Sequence, residues 1–224
     1  MLKKKLSLLP VTLLFFSLQS FRTPPVPVNS PETHASYLAV KFGIDNKAIQ
    51  LALSGYEKLK QWGLLHNLRY LTIADFSKPS NTKRLSIIDM EQQQVVLQTY
   101  VAHGRNSGTL FAKHFSNKNA SYESSLGFYI TGSPYFGKHG KSLELKGIEP
   151  GINDHAKQRA IVLHGAEYVS PHAIAQLGFL GRSQGCPAVP QDEVEDIIAT
   201  IQDASCLFIY APDQHYLQSS RLVN

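Results

Sequence analysis

The chain has 224 residues, 43% of them hydrophobic, 10% aromatic and 17% charged, a composition that excludes a disordered, collagen-like or coiled-coil protein. Two cysteines exclude a disulfide framework and an all-thiolate zinc site. The net charge of +5 falls to +2 (19 Lys+Arg against 17 Asp+Glu) once Lys3, Lys4 and Lys5 are set aside with the first 20 residues, and this leaves no electrostatic footprint for nucleic acid.

Residues 1–20 read as a signal peptide for export to the periplasm or cell envelope. Lys3, Lys4 and Lys5 form a basic start, Leu6 to Leu18 an apolar stretch interrupted by Pro10, and Leu18-Gln19-Ser20 a passable cleavage site. The stretch is too short to span a bilayer comfortably, and an uncleaved anchor is the alternative. No later apolar segment approaches 18 residues, so the mature chain is expected to have no transmembrane domain. Residues 21–35 carry Pro24, Pro25, Pro27 and Pro31 and read as a semi-rigid spacer. Folding is expected to start near Ser36, with a helical segment to residue 65 and a β-rich unit over 66–224.

Asp45 is placed to cap a helix running to about Trp62, with Ile49, Ala52, Leu53, Tyr56 and Leu59 on its apolar face. Short β-branched and aromatic runs then predict strands at 70–75, 84–89, 94–101, 126–130, 142–145 and 160–163. Residues 190–203 predict a helix with Val194, Ile197, Ile198 and Ile201 buried. Cys206 to Tyr210 predicts a buried final strand. The expected class is mainly β, a sandwich or partly closed barrel with a helix near each end.

Two segments stand apart from this scaffold. An apolar strand delivers His164, followed by Gly165. Downstream, Cys186 sits in a tight turn between Gly185 and Pro187. A cysteine nucleophile needs a base, donors for the developing oxyanion and a reachable thiol. His164 is the candidate base, because its ordinary pKa lies near neutrality. Pro187 has no N–H to give, so the candidate oxyanion donors are the N–H groups of Gly185 and Cys186, with Gln184 a third. Ser183 is a candidate to orient His164 or the thiol. Cys206, inside an apolar strand, reads as an inert core thiol. A Cys186–Cys206 disulfide is the weaker alternative.

Together these segments resemble the active-site signature of the L,D-transpeptidase (YkuD-like) murein catalytic domain, which pairs a His-Gly with a downstream Ser-x-Gly-Cys. The match here is His164-Gly165 and Ser183-Gln184-Gly185-Cys186. Further similar pieces are 103–108, 124–128, 135–140, 145–153 and 181–183, and they fit the branch with Ser-x-Gly-Cys-Pro-Ala. The commoner signature has an arginine two positions after the cysteine. This chain has Ala188 there, and Arg182, Lys138 or Arg105 are the candidates to replace it. The resemblance implies attack by Cys186 on the third-residue carbonyl of a peptidoglycan stem peptide, release of D-alanine and transfer to an amine acceptor. It implies no cofactor and no metal, and acylation by carbapenem-type inhibitors. Tyr135, Lys138, His139, Gly165 and Arg182 become candidate substrate contacts, with Ser142 and Asn153 behind them.

Three other readings compete. Hydrolysis of the same bonds, by an L,D-carboxypeptidase or endopeptidase, needs only water as acceptor. A non-catalytic peptidoglycan-binding module would not need Cys186 or His164. Nine histidines invite a zinc hydrolase, but none forms a His-x-x-x-His pair.

Overall fold

The computed structural model describes residues 31–224. The expected export signal and most of the expected Pro-rich spacer lie outside the described residues. Helix α1 spans Pro31–Phe42, so helical structure begins five residues before the expected Ser36 boundary. Helix α2 spans Asn46–Gln61, with the Asp45 side chain accepting from the Ala48 N–H at 2.9 Å. This is the predicted cap, and the predicted apolar face is buried apart from a half-buried Leu53.

Three strands follow, β1 (Tyr70–Asp75), β2 (Leu85–Asp89) and β3 (Gln94–Thr99). Next come β4 (Gly127–Gly137), β5 (Gly140–Gly147) and β6 (Val162–Ala166). Helix α3 (Pro171–Leu177) leads to the three-residue β7 (Ala188–Pro190). Helix α4 (Val194–Ile201), β8 (Cys206–Tyr210) and helix α5 (Gln214–Ser219) complete the chain. All eight strands form one mixed sheet in the order β3-β2-β1-β8-β4-β5-β6-β7. The sheet has two edges and does not close into a barrel. The mainly β expectation holds, and the sheet is faced by helices.

β8 pairs parallel with β1 and antiparallel with β4. All five of its residues are buried, as an unbroken apolar run in a sheet covered on both faces should be. Phe128 on β4 faces α2, where a Cβ on Gly55 would fall 2.1 Å from the Phe128 ring. The missing side chain lets helix and ring close up. Thr131, three residues on and therefore on the opposite face, donates to the Ile201 carbonyl of α4 at 2.6 Å. The edge strand β7 is short, ends in Pro190 and is bridged at Ala188 by Ala102, features that blunt an edge.

The β4–β5 hairpin is longer than the predicted runs 126–130 and 142–145. A register shift between Thr131 and Pro134 separates its inner part, in the sheet, from an outer part. Only residues 127–130 pair with β8 and only 142–144 with β6. The outer hairpin therefore projects past the sheet.

Candidate active site

Strands β6 and β7 run parallel, with His164 opposite Ala188. The α3 crossover between them returns the chain to the start of β6, as a parallel pair requires. Cys186, two residues before Ala188, therefore lies abreast of Val162, two residues before His164. Two-residue steps keep side chains on one face, so the parallel pairing aims both groups the same way. His164 is the central residue of β6 and not its end, as the sequence suggested. A cleft of about 440 Å³ is lined by Cys186 and His164 together.

The thiol is held by the strand beside it. Sγ lies 3.5 Å from the Val162 N–H and 3.6 Å from the Ala160 carbonyl. Burial raises its pKa, against the pull of the Val162 N–H, Lys138 and Arg159. The Nδ1 of His164 lies 2.9 Å from the Gly165 carbonyl. That oxygen can only accept, so Nδ1 carries the proton and Nε2 is left as a base. Burial lowers the His164 pKa, and His139 and Lys138 push it the same way. Burial thus disfavours the charged form of both groups.

Ser183 holds the turn. Its Oγ donates to the Cys186 carbonyl at 2.6 Å and accepts from the Gly185 N–H at 3.0 Å. Its hydrogen bonds therefore go to the turn backbone, where the sequence suggested His164 or the thiol. The same bond engages the Gly185 N–H, one of the two expected oxyanion donors. Of the other expected donors, the Cys186 N–H lies beside its own sulfur, and Gln184 lines the cleft. The Ser124 hydroxyl closes the turn from behind by donating to the Gly185 carbonyl at 3.0 Å.

Gly185 has φ +124°, and a Cβ there would meet the Glu123 carbonyl oxygen at 2.8 Å. Gly185→Ala is expected to cost about 1–3 kcal/mol of stability. It should also displace Cys186 enough to slow acylation about a hundredfold. Thermal melts and acylation rates check the two effects separately.

Tyr135, Lys138, His139, Ser142 and Arg182 all line the cleft. Gly165 does not contact it. A Cβ there would meet Gln191 and Val194 at 2.8 and 2.9 Å, so Gly165 faces the α4 side and serves the site through its carbonyl on His164. Asn153 is buried and donates to the Leu126 and Phe128 carbonyls, both at 3.0 Å, a structural role away from the cleft. Arg105 stacks over Tyr122, 3.9 Å from its ring centroid, and does not line the cleft.

Arg159 does line it, and sequence reasoning missed it. Its guanidinium donates to the Ser116 carbonyl at 2.6 Å, the Ser121 hydroxyl at 3.2 Å, the Glu123 carbonyl at 2.5 Å and the Ser125 hydroxyl. All four acceptors are neutral, and Tyr129, Cys186 and Glu123 are the ionisable groups whose field reaches it. Its only sequence signal was a place five positions before His164, which does not distinguish it among 22 lysines and arginines. Asn119, Tyr122 and Tyr168 also line the cleft and carried no signal.

Both cysteines are free. Cys206 is fully buried, and burial pushes its pKa far above the ordinary thiol value. Cys206→Ser is expected to leave acylation of Cys186 unchanged and to cost about 1–3 kcal/mol for the buried hydroxyl. Intact-protein mass spectrometry and a melt measure both. Among the described residues, no three His, Cys, Asp or Glu side chains gather as a metal site, and no helix is long and apolar enough to cross a membrane.

Residues 41–210 match the family model of the L,D-transpeptidase catalytic domain. The chain belongs to that family. No curated protein matches the sequence significantly. Among solved structures, the helical cell shape determining protein Pgp2 from Campylobacter jejuni is similar at 14% identity and TM-score 0.43, covering 76% of this chain and 61% of that one. An L,D-transpeptidase from Mycobacterium smegmatis is similar at 11% identity and TM-score 0.39, covering 64% and 59%. L,D-transpeptidase 3 from Mycobacterium tuberculosis, in complex with a faropenem-derived adduct, is similar at 11% identity and TM-score 0.41, covering 64% and 60%. The chain thus spans 59–61% of the length of those structures.

Proposed function

We propose that this L,D-transpeptidase-family domain is an exported cysteine acyl-transferase acting on peptidoglycan stem peptides. The observation that carries the reading is that His164 on β6 and Cys186, in the turn leading into the parallel β7, line one cleft in a chain of this family. The charge of the cleft supports it. Lys138, Arg159 and Arg182 line it and no Asp or Glu does, which suits a peptide bearing carboxylates. The basic and apolar start of the sequence supports export, which would place the enzyme where its substrate lies.

In this reading Nε2 of His164 takes the thiol proton as Sγ attacks the carbonyl of the third stem residue. The Cys186 N–H faces the oxyanion that forms. The tetrahedral intermediate collapses, the bond to the terminal D-alanine breaks, and His164 returns the proton to the departing amine. A thioester remains on Cys186. An acceptor amine, deprotonated by His164, attacks it, forms the cross-link and restores the thiol. Arg159 acts as a fixed positive charge near the sulfur.

The test incubates the protein and its Cys186→Ala variant with purified tetrapeptide muropeptides and with cross-linked ones. New dimers joined through the third residue, made only by the unaltered protein, support transpeptidation. Tripeptides or split dimers mean that water is the acceptor and the enzyme is a carboxypeptidase or endopeptidase. Unchanged substrates with both proteins reject catalysis on these peptides and favour a binding module.

A further inference from the structure

The outer β4–β5 hairpin is solvent-exposed, with Phe136 at 81%. One side chain of the tip turns back toward the sheet. The His139 ring stacks on the His164 ring, with centroids 4.2 Å apart and planes 17° from parallel. His164 is thereby fixed in two ways: Nδ1 is tied to the Gly165 carbonyl at 2.9 Å, and one face of the ring is covered. A ring flip would break the first contact, and a tilt would break the second. An imidazole that must present Nε2 to a thiol benefits from both restraints, because proton transfer falls off quickly with misalignment.

We infer that His139 is a positioning residue for the general base: it stacks on His164 and holds the plane of that ring from the hairpin tip. The inference rests on the reading of His164 as the base. It gives the projecting hairpin a part in the reaction beyond forming a wall of the cleft. The stack is best served when at most one ring is charged. Burial first, and then Lys138, lower the pKa of His139, and His139 in turn makes His164 harder to protonate. The other titratable and charged groups lining the cleft with the pair are Tyr135 and Lys138 from the hairpin, Cys186 and Arg182 near the turn, and Tyr122, Arg159 and Tyr168 around them. No carboxylate among them offsets a second positive charge.

The experiment compares the full chain with His139→Ala and His139→Phe. His139 is exposed, so neither change threatens the core. The His164 ring is titrated by NMR, and the rate of alkylation of Cys186 by iodoacetamide is measured against pH. Neither readout needs a peptidoglycan substrate, so a failed muropeptide assay would count against the proposed function and not against the stack. His139→Ala should raise the His164 midpoint and slow alkylation at pH 7 about tenfold. His139→Phe keeps an aromatic face without a charge. It should restore most of the rate while leaving the midpoint between those of the other two. An unchanged His164 midpoint in His139→Ala would overturn the inference. So would a His139→Phe variant as slow as His139→Ala, because a stacking role predicts rescue by any flat ring.

Discussion

A carbapenem should leave a single adduct on this protein, on Cys186, and none on Cys186→Ala. The chemistry of acylation is that of the proposed first step, in which Sγ adds to a strained carbonyl and His164 takes the proton. Cys186 lines the cleft while Cys206 has no exposed surface, so only one thiol is reachable. Loss of the nucleophile should lower turnover by about a thousandfold or more, because the remaining groups bind and polarise but cannot form the thioester. The pH dependence has a definite sign. His164 accepts a proton only when neutral, so acylation falls as the pH drops through its midpoint. Burial, His139 and Lys138 hold that midpoint below the ordinary imidazole value, so the acid limb should lie below about pH 6.5. At the alkaline end the rate should keep climbing past the ordinary thiol range, because burial raises the Cys186 pKa. Intact-protein mass spectrometry over a pH series reads all of this. An unmodified wild-type protein, or an adduct that survives Cys186→Ala, would sink the assignment.

Phe128→Ala should destabilise the domain by about 3–5 kcal/mol. For a unit of this size that lowers the melting temperature by about 6–20 °C. Phe128 is fully buried and stacks on Phe208, its register partner on β8, with ring centroids 4.2 Å apart. Gly55 of α2 lies directly against the ring. Gly55 has no side chain to fill the vacated space, so a cavity stays unless α2 itself shifts. The cost of such a cavity grows with what the surroundings fail to fill. Urea denaturation followed by fluorescence or circular dichroism measures the change, and a loss below about 1 kcal/mol would show that the helix and sheet rearrange freely.

Local chemistry made much of the fold legible. Helix α2 could be read from Asp45 and the spacing of Ile49, Ala52, Tyr56 and Leu59. β8 could be read from five consecutive apolar residues. The outer half of β4 could not, because Gly132, Ser133, Pro134 and Gly137 look like turn residues. It becomes strand only because residues 134–137 pair with 140–143. β7 has three residues and a proline, too little for any periodicity. The short helices α3 and α5 carry caps, Ser170 with Pro171 and Asp213, but are too short for an apolar periodicity to mark them. At the site, Cys186 and His164 were legible because their neighbours repeat a known motif. Arg159, the stacked His139 and the engaged Gly185 N–H were not. Each depends on which distant segments meet, and sequence spacing does not encode that.

The order of the strands has a bearing on how the chain reaches this state. β1, β2 and β3 form one block, and β4 to β7 another. Only β8 joins them edge to edge, although it is the last strand to be synthesised. Its pairing with β1 links Leu71 to Cys206 and Asp75 to Tyr210, a contact with a high loop-closure cost. A chain halted before residue 206 would hold two half-sheets with their inner edges open, Phe128 without Phe208, and both edges available to other chains. Completion of the sheet therefore awaits residues 206–210. Chaperone protection of the nascent or unfolded chain should matter most until that final strand is in place.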